Sequence, residues 1–390
     1  MPIISAPRLL VDDALAGPGA VRIEGDRIVE VLAGAPPPGP DHLALSGGIL
    51  SPGLVDLQVN GAFGVDLVRA SAEEWRAVSE RLPATGVTAF QPTYITAPLA
   101  TLLDGLRRTP SPAELEQGGG ARILGVHLEG PFLSPMRAGV HDPAHMRLPA
   151  PDLVEDLVGA AAGGLTMVTL APELPGALAA IRRLAAAGVR VSVGHSDATA
   201  AQVRAAADAG ATMVTHVFNA QRGLGHREPG VAGQGLADPR LVVGLIADLR
   251  HVAPQVCAIV MQAAPGRVAL VTDAIAAAGM PPGRYELGGI QVEVGPGDAL
   301  PRRLDGTIAG SSLSLDRAVR NVAGLGTGLA GALVAASRVP ADALGRKDLG
   351  RLAPGARADL VWWSDELSPL CTWVGGRVAQ GAEAVAGVPA

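Results

Sequence analysis

The sequence predicts an α/β fold: a (β/α)8 TIM barrel with a small β-sandwich domain formed by both termini. Eight short apolar runs, each typical of a buried strand, occur between residues 53 and about 340. Alanine-rich helical segments lie between most of them, whereas the two ends of the chain alternate apolar with polar residues. We therefore expect a β domain from residues 1–50 and 346–390, and a catalytic barrel from residues 51–345.

The eight predicted strands are nearly continuous apolar runs, as expected where helices cover the outside of a barrel and side chains fill its inside. In chain order they are "GLVDLQVNG", "VTAFQPTY", "ILGVHLEGP", "LTMVTLAPE", "VRVSVGHSD", "ATMVTHVFNA", "LVVGLIADLRH" and "RVALVTDAI". The clearest helices between them are predicted at 71–85, 176–187 and 199–209, each followed by a glycine suited to a helix C-cap. The terminal segments "AVRIEGDRIVEVLAG" and "ARADLVWWSDELSPLCTWVGGRVAQG" have the alternation and turns of β-hairpins.

Composition excludes several classes of function. The net charge of −6 and the aromatic content of 3% argue against a nucleic-acid surface. The apolar runs are too short to span a membrane, the N-terminus lacks an export signal, and Cys257 and Cys371 form no metal or disulfide pattern, so we expect a cytoplasmic protein. The only lysine, Lys347, lies near the C-terminus, which argues against a catalytic or carbamylated lysine in the barrel.

Polar residues stand where the predicted strands end, at the face that carries active sites in this fold. They are His127 and Glu129, Glu173, His195 and Asp197, His216 and Asn219, Asp248 and His251, and Asp273. A buried carboxylate such as Glu129 needs a partner, and Glu129, His195 and His216 together are a ligand set for a catalytic divalent metal. Each histidine alone is equally well explained as a hydrogen-bonded core residue, but three ligands at matching strand ends favour the metal.

Asp273 ends the eighth strand, across the barrel from the predicted metal. A carboxylate there can take a proton from a water and pass it to a leaving group. The competing interpretation is a residue that caps the following helix.

The motifs "PGLVDLQVNG", "GVHLEGPFLSPMRAGVHDP", "TLAPE", "VSVGHSDAT", "THVFNA", "HREPGVAG", "LVTDAIAAAG" and "GTIAGSSL" span nearly the whole chain. In order and separation they resemble those of N-acetylglucosamine-6-phosphate deacetylases of the amidohydrolase superfamily. The resemblance implies that Glu129, His195 and His216 hold the metal and that Asp273 is the general base and acid. It also implies that His141 contacts the substrate beside the acetamide carbonyl, with Val140 next to it.

The resemblance further implies a phosphosugar pocket and a shared active site. Arg227 would reach the phosphate from the neighbouring subunit of a homodimer, and an arginine fork is suited to that task. For Arg227 the competing interpretation is a loop ion pair with Glu228. The other implied substrate contacts are Asn219, Ala220, His251, Ile308, Ala309 and Gly310.

This chain departs from its superfamily at several positions. Gln58-Val59-Asn60 stands where many amidohydrolases have His-x-His, and neutral amides are poor ligands, so we expect one metal per chain. Gln221-Arg222 stands where methionine often opens the loop, and Leu249-Arg250 stands where Asp-Gly leads to the substrate histidine. These differences bear on substrate preference.

The sequence thus predicts hydrolysis of N-acetyl-D-glucosamine 6-phosphate to D-glucosamine 6-phosphate and acetate, in amino-sugar catabolism. Zinc is the expected metal, with Fe²⁺, Co²⁺ or Mn²⁺ as alternatives. The competing functions are hydrolysis of another N-acyl or cyclic amide, which needs no phosphate contact, and a catalytically silent sugar-phosphate-binding protein, which needs no complete ligand set.

Overall fold

The structure, a computed structural model, describes residues 2–386 except 35, 37, 38, 40, 112–114, 116–118, 298 and 299. Strands predominate at both ends of the chain, and in its middle part they form the central sheet. In chain order the strands are β1 (Ile3–Ala6), β2 (Leu9–Val11), β3 (Ala14–Ala16), β4 (Gly19–Glu24), β5 (Arg27–Ala33), β6 (His42–Ala44), β7 (Ile49–Pro52), β8 (Leu54–Val59), β9 (Gly61–Ala62), β10 (Val65–Asp66), β11 (Val87–Ile95), β12 (Arg122–Ile123), β13 (Val126–Glu129), β14 (Leu165–Leu170), β15 (Arg190–Val193), β16 (Met213–Val214), β17 (Val242–Ile246), β18 (Val268–Val271), β19 (Gly283–Leu287), β20 (Ile290–Val294), β21 (Arg302–Arg303), β22 (Leu360–Trp363), β23 (Pro369–Val374) and β24 (Arg377–Gln380).

Helices alternate with the strands of the middle part, and one more helix follows the last strand. They are α1 (Ala72–Arg81), α2 (Leu99–Arg108), α3 (Pro151–Ala160), α4 (Ala177–Ala186), α5 (Ala200–Ala209), α6 (Gly230–Ala237), α7 (Pro254–Ala263), α8 (Leu315–Val322), α9 (Leu329–Ala336), α10 (Arg338–Ala343) and α11 (Ala382–Ala386). Within the described ranges, no helix is long and apolar enough to cross a membrane.

The helices predicted at 176–187 and 199–209 agree with α4 and α5 to within one residue, whereas the end predicted for the first helix was wrong. Thr199 and Gln202 form a capping box at the start of α5, and Gly210 in the left-handed conformation ends it. The helix predicted at 71–85 is shorter, because α1 stops at Arg81 and a 3₁₀ turn follows. Pro83 explains the difference, since proline lacks the N–H that the next helical turn requires.

Eight parallel strands form the predicted barrel. Their order is β8, β11, β13, β14, β15, β16, β17 and β18, and the short β12 also pairs with β11. A parallel bridge between Val59 and Ala274 brings the two ends of this sheet together. Just inside that bridge, the Thr272 hydroxyl donates to Asp56 Oδ2 over 2.6 Å. The barrel prediction is therefore confirmed, and the carboxyl ends of all eight strands open on one face.

The two ends of the chain meet in two sheets outside the barrel. One sheet has the order β5-β4-β1-β6, and the other has the order β24-β23-β22-β7-β2-β3. The sheets share an apolar core that includes Ile4 and Val21 from the first and Leu9, Leu360 and Trp373 from the second. Both termini contribute, as the alternating patterns indicated. The domain limits at 50/51 and 345/346 stay a prediction.

One element was not predicted. Strands β19, β20 and β21 form a small antiparallel sheet, here called the flap, between the last barrel strand and α8. Leu287 and Val292 of the flap pack with Ile95 at the end of β11 and with Val140 in the loop after β13. The flap therefore lies against the face on which the barrel strands end.

Candidate active site

The predicted catalytic residues lie at or just past the ends of four barrel strands. Glu129 is the last residue of β13, while His195, His216 and Asp273 each stand two residues beyond a strand. These three have positive φ values of 46°, 24° and 51°, which is uncommon for residues other than glycine. Such strained backbone is concentrated at functional sites. The sharp turns direct the three side chains back into the barrel mouth.

Glu129 lies in the middle of a cluster of buried imidazoles. Its Oε1 is 2.8 Å from His216 Nε2 and 3.2 Å from His195 Nε2, and its Oε2 is 3.8 Å from His141 Nε2. All four residues are at most 4% exposed. The cluster explains why the apolar strand β13 ends in a carboxylate, because the buried charge has polar partners on several sides.

The tautomer of His195 makes the cluster fit a metal. Its Nδ1 lies 3.0 Å from the backbone oxygen of Arg137, which can only accept, so Nδ1 carries the proton. In neutral His195 the lone pair therefore sits on Nε2 and faces the Glu129 carboxylate, another acceptor. Two acceptors facing each other across 3.2 Å need a donor or a cation beside them, and His141 Nε2 lies 3.2 Å from the same His195 nitrogen. Among the described residues His216 Nδ1 has no hydrogen-bond partner, so no contact there fixes the tautomer, and Nε2, which lies 2.8 Å from Glu129 Oε1, can present a lone pair to a cation.

His141 has the opposite tautomer. The ligand atoms of Glu129, His141 and His195 lie within 4.8 Å of one another, so His141 is close enough to be a third ligand. However, the backbone N–H of Thr96 donates to His141 Nδ1 over 3.2 Å, which places the proton of the neutral ring on Nε2. A protonated nitrogen cannot bind a metal but can donate to a carbonyl oxygen. This favours the predicted substrate contact for His141, and the ligand set of Glu129, His195 and His216 stays a prediction.

The charges of the cluster follow from its contacts. Burial opposes ionisation of Glu129, but the contacts of its carboxylate with the His195 and His216 rings outweigh burial and hold the Glu129 pKa well below its usual range. Burial, together with the neighbouring His195, lowers the pKa of His141 well below the ordinary value. The site thus combines an anionic carboxylate with a neutral His141, as a cation site with an adjacent hydrogen-bond donor requires.

Asp273 is held by the side-chain amides of Gln58 and Asn60, which the sequence predicted only to be poor metal ligands. Gln58 Nε2 donates to Asp273 Oδ1 over 3.0 Å and to Glu129 Oε1 over 3.3 Å, and Asn60 Nδ2 donates to Asp273 Oδ1 over 2.8 Å. Burial, followed by the nearby Glu129 charge, raises the pKa of Asp273 to about 6. Both amides contact Oδ1, which leaves Oδ2 as the oxygen available to a water.

A cavity of about 400 Å³ opens at this cluster. The structure brings most of the predicted substrate residues to its wall, namely Val140, His141, Asn219, Ala220, His251, Ile308 and Gly310. Ala309 is fully buried and packs with Val140 behind the wall. Arg227 is exposed and, among the described residues, is not part of the lining. The lining also has residues that the sequence did not predict as contacts: Asn60, Ile95, Met136, Arg137, Ile246, Leu287 and Thr307.

Two polar side chains on the cavity wall are positioned by their own loops. Asp248 Oδ2 lies 2.7 Å from His251 Nδ1, and Asp248 Oδ1 accepts the His251 backbone N–H, so the carboxylate orients the ring. In the loop after β16, the Gln221 side chain accepts from the Phe218 N–H and donates to the Thr215 oxygen. Gln221 therefore braces the turn that presents Asn219.

His127 is the strand-end histidine for which the core interpretation holds. It is fully buried between the hydroxyls of Thr93 and Thr169, at 3.2 and 2.7 Å. Burial lowers the pKa of His127 to about 4, so the ring is neutral. With both nitrogens satisfied inside the barrel, His127 has no role at the mouth.

Comparison with known proteins extends over most of the chain. A model of the amidohydrolase family matches residues 49–379. An N-acetylgalactosamine-6-phosphate deacetylase from Escherichia coli O157:H7 is 41% identical over 334 residues, which are 85% of this chain and 88% of that protein. An N-acetylglucosamine-6-phosphate deacetylase from Vibrio furnissii is 40% identical, with 84% of this chain and 82% of that protein covered.

Solved structures of N-acetylglucosamine-6-phosphate deacetylases are also similar to this chain over nearly its whole length. N-acetyl-D-glucosamine-6-phosphate deacetylase from Mycobacterium smegmatis, in a mutant form bound to N-acetyl-D-glucosamine 6-phosphate, superimposes with a TM-score of 0.91 at 38% identity. That match covers 97% of this chain and 99% of the other. The corresponding enzyme from Thermotoga maritima gives a TM-score of 0.84 at 31% identity, with 97% and 98% covered.

Proposed function

Because this chain belongs to the amidohydrolase family, we propose that it hydrolyses the acetamide of N-acetyl-D-glucosamine 6-phosphate to D-glucosamine 6-phosphate and acetate, in amino-sugar catabolism. The observation that carries the proposal is the convergence of Glu129, His195 and His216 beside Asp273, in a barrel similar over its length to relatives with that activity. The cavity there has room for one sugar phosphate.

A divalent ion at Glu129, His195 and His216 would lower the pKa of a water and polarise the acetamide carbonyl. We propose zinc, because one carboxylate and two imidazoles with open positions are typical of catalytic zinc sites. Fe²⁺, Co²⁺ and Mn²⁺ suit the same donors. With Gln58 and Asn60 engaged as donors to Asp273, one metal per chain is expected.

Asp273 carries out both proton transfers, while neighbouring residues of this chain bind and polarise the substrate. Asp273 accepts the proton of the attacking water at Oδ2 and later delivers it to the departing sugar amine. The His141 Nε2–H donates to the carbonyl oxygen as negative charge develops on it in the transition state. His251 and Asn219 bind the sugar phosphate farther along the cavity wall.

We propose a homodimer in which Arg227 completes the neighbouring site. Arg227 is exposed, and Leu224, three residues before it, is a large apolar side chain that is 53% exposed. A second subunit covering this loop would bury Leu224 and carry Arg227 to a phosphate. We also propose a reducing compartment such as the cytoplasm, because Cys257 and Cys371 are both free and buried.

Acetate release from a panel of N-acetyl sugars tests the proposal. We expect turnover of N-acetylglucosamine 6-phosphate and little turnover of unphosphorylated N-acetylglucosamine. N-acetylgalactosamine 6-phosphate belongs in the panel because one relative at 41% identity acts on that epimer. No acetate from either phosphate by metal-loaded protein would refute the proposed function, and equal rates with and without phosphate would favour another amide hydrolase.

A further inference from the structure

A three-residue ion cluster joins two loops at the edge of the cavity. Arg137 donates from Nε and Nη2 to Asp197 Oδ1 over 2.9 and 2.7 Å, and Arg222 pairs with Asp197 Oδ2. The Asp197 side chain is 13% exposed, so solvent screens it less than an ordinary surface carboxylate. We call Arg137, Asp197 and Arg222 the rim cluster.

The first arm of the rim cluster is the ion pair between Arg137 and Asp197, and it positions the loop that surrounds His195. Arg137 belongs to the loop after β13, and its backbone oxygen lies 3.0 Å from His195 Nδ1. The same loop contacts His195 twice more. Ser134 N donates to the His195 oxygen over 2.9 Å, and Gly139 lies so close that a Cβ there would be 3.0 Å from His195 Cε1. The Arg137 loop therefore sets the tautomer and the position of the imidazole.

The second arm is the ion pair between Arg222 and Asp197, and it holds the loop that carries Asn219 and Ala220. Arg222 Nε donates to the Asp197 backbone oxygen over 2.7 Å, and Arg222 N donates to the Ser196 oxygen over 3.0 Å. Ser196 N in turn donates to the Ala220 oxygen. Ala220 has a φ of 47°, so this turn is strained and depends on its neighbours for its shape.

We propose that Asp197 is a positioning residue that couples both loops: through Arg137 it presents His195 Nε2 to the metal, and through Arg222 it fixes the substrate loop. Without the carboxylate, two guanidinium groups would face each other with no anion between them, and both loops would separate. The coupling to substrate rests on the proposed function, whereas the coupling to metal does not. The sequence placed Asp197 at a strand end but could not identify its two partners.

Metal affinity without substrate is the first test. Metal-free protein is titrated with Zn²⁺ in competition with a chromophoric chelator. For Asp197→Asn we expect roughly 10-fold weaker binding, the lower end of what loss of an outer hydrogen-bond partner costs. Asp208→Asn is the matched control, since Asp208 also pairs with an arginine, Arg240, at 2.7 Å, but on the exposed side of α5. Equal affinity of the two variants would overturn the proposal.

Separating the arms is the second test. Arg137→Met should weaken Zn²⁺ binding as Asp197→Asn does, whereas Arg222→Met should bind Zn²⁺ normally and raise KM for the sugar phosphate about 10-fold with little change in kcat. Identical effects of the two arginine variants would contradict two separate arms. If Asp197→Asn fails to fold, as judged by its thermal transition, the two arginine variants still decide.

The titration also separates this inference from the proposed function. Wild-type protein that binds Zn²⁺ but releases no acetate would refute the proposed deacetylase function without contradicting the coupling of Asp197 to the metal through Arg137. An active wild-type enzyme whose Asp197→Asn and Arg137→Met variants bind Zn²⁺ as tightly as the wild type would refute the inference alone.

Discussion

Replacing Asp273 with asparagine tests the chemistry most directly. The Gln58 and Asn60 amides both donate to Asp273 Oδ1. In Asp273→Asn the new carboxamide must therefore turn its oxygen toward these two donors. Its NH₂ group then occupies the place of Oδ2 and faces the attacking water as a donor. The variant keeps the shape of the side chain but reverses its hydrogen bonding where an acceptor is needed.

The loss should lie at the upper end of the range for general acid–base groups. Such groups contribute on the order of 100- to 10,000-fold, and here one side chain serves as base and as acid. We expect kcat to fall roughly 1,000- to 10,000-fold, which corresponds to about 4 to 5.5 kcal/mol of transition-state stabilisation. KM should change little, because the asparagine leaves the predicted metal ligands and the sugar contacts in place.

Steady-state acetate release, corrected for metal content, measures the effect. Metal analysis of the same preparation should show near-normal occupancy, so that loss of activity is not loss of metal. Asp208→Asn on α5 serves as the control for removing one carboxylate. A kcat within 10-fold of wild type, at full metal occupancy, would refute the assignment of Asp273 as base and acid.

Three further predictions address the metal, the phosphate and the fold. Glu129→Gln should lower metal occupancy below the expected one ion per chain, because a neutral oxygen ligand replaces a charged one. Metal analysis of the variant and the wild type checks this. Two ions per chain in active wild-type protein would contradict the single-metal site. Arg227→Ala should raise KM far more than it lowers kcat, because the phosphate is held in the ground and transition states alike. If active sites are shared between subunits, mixing Arg227→Ala with Asp273→Asn subunits should restore activity at low substrate concentration. No recovery despite confirmed subunit exchange would place Arg227 in the active site of its own chain. Burial raises the pKa of Asp56 to about 7, above the ordinary 3.8, so its contribution to stability is complete below pH 4 and is lost as pH rises through 7. Asp56→Asn, whose NH₂ can donate to the Thr272 hydroxyl, should flatten this decline in urea unfolding between pH 5 and 8; an unchanged slope would contradict it.

Much of the architecture was determined by the sequence alone. Strands buried on both faces must be nearly continuous apolar runs, so eight such runs with helices between them indicate a closed parallel barrel. Because parallel strands present their carboxyl ends on one face, Glu129, His195, His216 and Asp273 could be grouped without coordinates. These features depend on residue types along a short stretch of chain, and local patterns report them reliably.

Only the tertiary structure decided how the grouped side chains work. The proton positions on His141 and His195 follow from the Thr96 N–H and the Arg137 oxygen, which lie 45 and 58 residues away in sequence. The amides that hold Asp273 come from the first barrel strand and the residue directly after it, more than 200 residues earlier, and reach Asp273 only because the barrel closes. The partners of Asp197 and the packing of the flap have the same origin. Hydrogen bonds between distant segments depend on positions within a few tenths of an ångström, and those positions are set by the packing of the whole barrel rather than by any local pattern.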